Sequence, residues 1–364
     1  MIIVLFEDEF VKDLYPITLT RPAFEIPVGG LTLIQLLKRK FPEAQLCFKV
    51  RPEIERFYDY EKYNLDLAQG DVVYLNARAV PSLKNMENLR VRNENLDLLT
   101  YPHETIIWHK RVCKENINFL AEDSRWTEIK KGLFVGKDVH IAPDVKFNTE
   151  PGKILINDHT SIGAFSLIEG PVLIGMNCRI REHSDIKDRV TIGDVCKIRG
   201  EVTETVFMNY SNKQHYGFIG NAFVGEWVNL GAGTCNSDLK NTYGEIRVRK
   251  GKDKINTGEQ FLGCVIGDFS KLAINTSIFT GKTIGVSSYL YGFIDEDVPS
   301  FVNFMKYFEC GCSTFFIEKA IETQARMFKR RNIQQTQENI DSLRWIYAET
   351  KEEREEFLSS KKSI

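Results

Sequence analysis

Long apolar runs are missing from this chain. Nowhere in its 364 residues do hydrophobic side chains continue for the roughly 18 positions that a membrane-spanning helix needs, so no membrane insertion is expected. No basic stretch precedes the short apolar run at residues 2–6, so no secretory leader is expected either, and we expect a cytoplasmic protein. Net charge is nearly absent: 48 Lys and Arg against 50 Asp and Glu leave −2, which excludes the one-signed field of a nucleic-acid or anionic-membrane binder. An anionic ligand must then be gripped by a few local cations. Closely spaced cysteines are scarce as well. Of eight, only Cys310 and Cys312 stand together, with no second Cys or His pair near them to complete a zinc site. The cysteines are expected as thiols in a reducing compartment, and no metal site is assigned.

What is present divides the chain. At 364 residues with 43% hydrophobic content it can build two cores. Residues 2–6, IIVLF, form a continuous apolar run of the kind seen in a buried parallel strand. Gly29-Gly30 followed by LTLIQLLKRKF reads as a turn into a helix. QLCFKV (45–50) and DVVYLNA (71–77) read as further strands, with a helix expected over RPEIERFYDYEKY between them. Alternating strands and helices imply an α/β domain, which we place over 1–130. His103 and His109, in the connector that follows, have no partner motif and are expected to be packing residues.

From residue 132 the chain becomes periodic. Ile156, Ile162, Ile168, Ile174, Ile180, Ile186, Ile192 and Ile198 stand six apart. After what reads as a non-repetitive insertion, Val224 and Leu230 keep the spacing, and Ile266, Leu272, Ile278, Ile284 and Leu290 resume it. Val135, Ile141 and Phe147 form a shorter run in another phase. A six-residue apolar period fits short strands separated by tight turns, three to a coil, each sending one aliphatic side chain inward. The repeat domain is placed over 131–298. A helical tail over 299–364 is expected to cap the open end of the solenoid.

Two resemblances attach to these regions. Residues 14–37 resemble the opening of sugar-1-phosphate nucleotidyltransferases, with Pro16, Thr18, Pro22, Pro27, Val28, Gly29 and Gly30 at matching spacing. Where that family carries phosphate-wrapping glycines, this chain has Glu7 through Lys12, whose side chains block close backbone approach and whose three carboxylates would repel a triphosphate. Asp13 and Ala23 occupy the family's Arg and Lys positions, Arg21 could stand in for one cation, and Asn76-Ala77-Arg78 replaces the metal-binding aspartate. A truncated, degenerate nucleotidyltransferase-like front is the reading; Mg2+ is expected only if that domain is active.

The periodic region resembles the hexapeptide-repeat acyltransferases, which implies a left-handed parallel β-helix and a homotrimer. Within it, His215, Phe218-Ile219-Gly220, Val224-Gly225, Asn229-Leu230-Gly231-Ala232-Gly233-Thr234 and Cys235-Asn236 resemble the acetyltransferase half of the bifunctional N-acetylglucosamine-1-phosphate uridyltransferase/glucosamine-1-phosphate acetyltransferase family. The resemblance implies His215 as the base, with Asn229 or a backbone N–H of Gly231, Ala232 or Gly233 orienting the acceptor or stabilising the oxyanion. Arg181, Arg199, Lys213, Asn236 and Lys240 would bind the substrate, and Lys271 and Lys282 the phosphates of acetyl-CoA. The function expected is acetyl transfer from acetyl-CoA to an amino-sugar phosphate or nucleotide-linked amino sugar in cell-envelope precursor synthesis. The alternative is a sugar-1-phosphate nucleotidyltransferase whose β-helix only oligomerises.

Overall fold

The structure is a computed structural model that describes residues 1–57, 71–91, 95–251 and 253–361. At its front, β1 (Ile2–Phe6) lies between β2 (Gln45–Lys49) and β3 (Val72–Asn76), all parallel. Packed around this sheet are α1 (Leu33–Lys40), the single turn α2 (Pro52–Glu55), α3 (Leu83–Arg90) and α4 (Glu104–Leu120). Thr32 and Gln35 close a reciprocal capping box at the start of α1, which satisfies two otherwise orphaned N–H groups. Of the helix expected over residues 51–63 only α2 is seen; residues 58–63 lie outside the described residues. No helix among the described residues is long and apolar enough to cross a membrane.

Behind this layer the chain winds into a left-handed parallel β-helix. Its strands stack into three faces: one of nine strands, one of ten, and a third made of a five-strand and a three-strand sheet. The six-residue column is the interior: Ile156, Ile174 and Ile192 stack on the first face, Ile162, Ile180 and Ile198 on the second, Ile168 and Ile186 on the third. All are at most 2% exposed, each contributing roughly 1.5–3 kcal/mol of apolar burial. Corners are turned by residues in the left-handed region, among them Asp138, Phe165, Asn177, His183 and Val195, with φ of 51–60°. Buried hydroxyls satisfy the corner carbonyls, as when Ser211 Oγ donates to Gly225 O at 2.6 Å and Ser270 Oγ to Gly285 O at 2.7 Å.

The expected insertion between Ile198 and Val224 is not there. That stretch is regular solenoid, with strands at Glu201–Thr203, Val206–Phe207, Asn212–Lys213, Phe218–Gly220 and Phe223–Val224. Its corners are shortened, so inward residues fall at 202, 207, 213, 219 and 224 and the six-residue count slips. The real excursion runs from 237 to 262. It carries an antiparallel hairpin, Arg247–Lys250 with Asp253–Asn256, that reaches the front layer, where Lys250 pairs with Asp13 at 3.1 Å. Lys110 of α4 meets Glu259 of the same excursion at 3.1 Å.

The tail forms α5 (Ile317–Lys329), α6 (Gln337–Glu349) and α7 (Lys351–Lys361). Helix α7 caps the solenoid, with Phe357 packing on Phe304 at 6.3 Å between ring centroids, and α6 joins it there through Tyr347 on Phe301 at 5.1 Å. Helix α5 lies along the second face, with Phe328 against Trp227 at 4.7 Å, and α6 braces the front layer through Glu349, which accepts from Lys12 Nζ and Tyr15 Oη.

One core runs from the front layer into the solenoid, joining Ile106, Val112 and Ile117 to Leu155, Val206 and Phe223. The Gly29-Gly30 turn sits at this junction. A Cβ on Gly29, at φ +63°, would lie 2.6 Å from Val112 Cγ2, so the glycine serves close packing against α4. His109 locks the same junction: its Nδ1 accepts from Gly29 N–H at 3.1 Å and its Nε2 donates to Arg189 O at 2.5 Å. That bonding requires the neutral ring, and burial pushes its pKa down to about 4. Burial likewise pushes His103 down to about 4, against a smaller opposing pull from Glu259.

These depressed bases carry a pH dependence. Between pH 6.5 and about 4 the unfolded chain binds protons that the folded chain refuses. Stability is therefore expected to fall as pH drops through that window, by up to about 1.4 kcal/mol per pH unit for each histidine. Urea midpoints between pH 7 and pH 4 check this, and His109→Gln is expected to flatten the slope by one proton's share.

Candidate active site

The second face orders the outward side chains. Arg179, Lys197, Asn212, Asn229, Lys271 and Tyr289 stand in register on successive coils. Just past this face comes a corner where Arg181 N–H donates to Ile198 O and Arg199 N–H to Lys213 O. The two arginines thus hold equivalent places one coil apart, roughly 4.8 Å in main-chain spacing. His215 lies at this corner on the next coil, and Gly231 to Gly233 on the one after; Gly233 N–H donates to Tyr216 O at 3.0 Å. The fold therefore gathers Arg181, Arg199, His215, Asn229 and the Gly231–Gly233 turn along one edge of the prism.

His215 and Asn229 are both exposed, and neither side chain has a hydrogen-bond partner among the described residues. Arg181 Nη2 meets Glu182 Oε1 at 3.1 Å, while its Nε is buried with no partner. Glu182 is held below the usual carboxylate range by its own backbone N–H, then by Arg181 and more weakly by Arg199. That carboxylate takes up the Arg181 guanidinium at this corner.

Other expected site residues are placed differently. Lys213 does not face a ligand. It fills an inward slot of the aliphatic column, paired with Ile198 and 0% exposed, and its Nζ donates to His215 O at 2.6 Å and Tyr216 O at 2.5 Å. Burial lowers its pKa to about 8. Gly217 leaves it room, since a Cβ there would stand 2.9 Å from Nζ. Lys213 is thus a positioning residue for the corner that carries His215. Asn236 also points inward, 3% exposed; its amide exchanges hydrogen bonds with the Gly220 main chain at 2.8 and 2.9 Å, which leaves nothing for a substrate. Lys240 donates to Glu245 O within the excursion.

Of the Gly231–Gly233 turn, Gly231 N–H donates to Leu272 O and Gly233 N–H to Tyr216 O, which leaves Ala232 N–H as the one without a main-chain acceptor. Lys271 and Lys282 stand on different faces and cannot share a phosphate. Lys271 Nζ is turned onto the carbonyls of Trp227 at 2.6 Å and Phe269 at 2.8 Å, and burial lowers its pKa to about 7.

The front layer holds no open phosphate loop. Glu7 accepts from Ala23 N–H and from the Arg51 main chain and guanidinium, at 2.8–3.1 Å. Asp8 accepts two bonds from Arg78, at 2.8 and 2.7 Å, and one from Asn76 at 2.7 Å. These carboxylates are neutralised by internal arginines, so charge repulsion is not what closes the loop; occupied side chains are. Arg21 is 4% exposed and engaged by Asp268 and by Glu226 of the solenoid, hence not free for a nucleotide. Among the described residues no cluster of three or more His, Cys, Asp or Glu could hold a metal ion.

Comparison with known proteins follows the same division. The sugar nucleotidyl transferase family matches residues 3–139. A bifunctional sugar-1-phosphate nucleotidylyltransferase/acetyltransferase from Sulfurisphaera tokodaii is 27% identical over 234 residues, 57% of this chain and 58% of that protein. The bifunctional protein GlmU of Cellvibrio japonicus is 33% identical over 249 residues, 63% of this chain and 51% of that protein. The chain is similar to these bifunctional proteins over two thirds of its length or less.

The chain spans about half the length of the curated relatives it matches. Among solved structures, the UDP-N-acetylglucosamine acyltransferase of Francisella novicida aligns over 57% of this chain and 76% of its own, at 17% identity and a TM-score of 0.30. One signal missed in the sequence was available in it. Arg179 and Lys197 directly precede inward isoleucines, so the strand period alone puts them on the outer face. Lys213 takes the inward place after Ile198 on the same face.

Proposed function

We propose that this chain is an acetyl-CoA-dependent N-acetyltransferase acting on an amino-sugar phosphate or a nucleotide-linked amino sugar, of the kind that supplies cell-envelope glycan precursors. The observation that carries the reading is His215, exposed and unpartnered at the prism edge, one coil beyond Arg199 and two beyond Arg181. In the reaction, His215 takes a proton from the acceptor amine as its nitrogen attacks the thioester carbonyl. A C–N bond forms, the oxyanion is met by Asn229 or Ala232 N–H, and the C–S bond breaks. The proton returns to the departing thiolate, giving amide and free CoA thiol. Arg181 and Arg199 hold the acceptor's phosphate in place of Glu182. A homotrimer, whose neighbour would close the open edge, belongs to this proposal.

The test incubates the protein with acetyl-CoA and a panel of amino-sugar phosphates and nucleotide amino sugars, reading free thiol. Turnover with at least one acceptor is expected; none with any would overturn the reading. The second reading, a sugar-1-phosphate nucleotidyltransferase, is favoured by the family match over residues 3–139. Pyrophosphate release from a nucleoside triphosphate and a sugar-1-phosphate would establish it.

A further inference from the structure

A groove of about 290 Å³ opens between the second face and the C-terminal end of α5, lined by Lys197, Asn212, Asn229, Lys271, Arg330 and Arg331 among others. Arg179 stands one coil further along the same column, paired in register with Lys197. Four of these cations, the half-buried Lys197 and Arg331 and the exposed Arg179 and Arg330, form no ion pair among the described residues, whereas Arg51, Arg78 and Lys306 each hold a carboxylate. Arg331 makes one bond, to Asn212 Oδ1 at 3.0 Å. Lys197 is held below the usual lysine range by burial first, then by Arg331, Arg330, Arg179 and Arg181. Lys271 Nζ is spent on carbonyls and serves as floor.

Basic residues at a helix C-terminus are ordinary, since they complement the helix dipole. That accounts for Arg330 and Arg331 but not for the solenoid cations set against them. Opposed like charges in a half-buried cleft cost free energy unless an anion is to be held there. The aromatic floor is full: Trp227 stacks on Tyr210 at 4.3 Å and packs at a 40° tilt on Phe328 at 4.7 Å, so no base inserts there and the charged part of the ligand is what the groove fits. Its volume lies at the low end for small-molecule sites, suited to one end of a longer ligand.

We propose that this groove binds the diphosphate of a nucleoside diphosphate ester, the group shared by acyl-CoA and nucleotide sugars. The choice between those two sources rests on the acyl-transfer reading above; the anion site does not. With Asn229 in its wall, the groove leads directly from the edge that carries His215.

Titration calorimetry of the full chain with inorganic pyrophosphate tests it. Wild type is expected to bind, and Arg330→Gln/Arg331→Gln to bind at least tenfold more weakly, with a shallower salt dependence. Lys197→Gln is expected to weaken binding as well. Arg326→Gln, which removes an exposed α5 cation already paired with Glu322 at 3.3 Å, is expected to change nothing. Arg330 is exposed, so Arg330→Gln alone gives a folded check against loss by unfolding. No heat with wild type, or equal affinity in the double variant, overturns the proposal. CoA and UDP-N-acetylglucosamine are titrated in parallel: a loss for CoA in the double variant assigns the donor, a loss for the nucleotide sugar assigns the acceptor, and a loss for neither overturns the assignment. Pyrophosphate binding that falls in the double variant, in a protein with no acyl-transfer turnover, keeps the groove and rejects the acyl-transfer reading.

Discussion

Thiol release from acetyl-CoA is expected to fall by about 10²- to 10⁴-fold in His215→Ala, the usual contribution of a positioned general base. Stability is expected to stay within about 0.5 kcal/mol of wild type, because the imidazole is exposed and bonds to nothing. Lys213→Met is the informative companion. It removes the two Nζ bonds that hold the carbonyls of His215 and Tyr216, so the corner loosens while the base remains. Partial loss of turnover is expected there, between wild type and His215→Ala. A His215→Ala variant with undiminished turnover would remove the base from the mechanism.

Arg21→Ala is expected to lower unfolding stability by about 3–5 kcal/mol, the range for breaking one side of a buried ion pair. Its partner Asp268 is 3% exposed and would be left charged at the join between front layer and solenoid, keeping only Thr20 Oγ1 and Glu226 N–H as donors. Glu226 is pushed up to about 6 by burial, with Arg21 pulling it back down. A carboxyl raised in the folded state gives stability at low pH and loses it as pH rises through that value. The Arg21→Ala deficit should therefore be larger at pH 8 than at pH 5, and Asp268→Asn in the same chain should restore part of it. Urea midpoints at the two pH values check both statements, and an equal deficit at each pH would reject the electrostatic origin.

The solenoid was legible because its interior is nearly uniform: isoleucine at every sixth place from 156 to 198 leaves one solution. It became illegible where corners shorten and where polar residues turn inward. Lys213 and Asn236 occupy core slots, yet lysine and asparagine beside a histidine read as ligand contacts. Backbone carbonyls that only the coil brings near are what satisfy them, and no local pattern announces such partners. Arg181, Arg199, His215 and Asn229 came to one edge because coil stacking turns sequence spacing into proximity. Lys271 and Lys282 did not, because eleven residues are not a whole coil. In the front layer the closed phosphate loop could be read from Glu7 and Asp8, but not its cause. Arg51 and Arg78 arrive from 44 and 70 residues away.

Those two arginines also make positions 7 and 8 hard to change. Glycine at positions 7 and 8 would bare the backbone but strand two guanidiniums that are 8% and 7% exposed, each a several-kcal/mol penalty. Removing the arginines first would instead strand the carboxylates. Every single change at these four positions passes through a destabilised chain, so the two ion pairs lock the local backbone at residues 7 and 8.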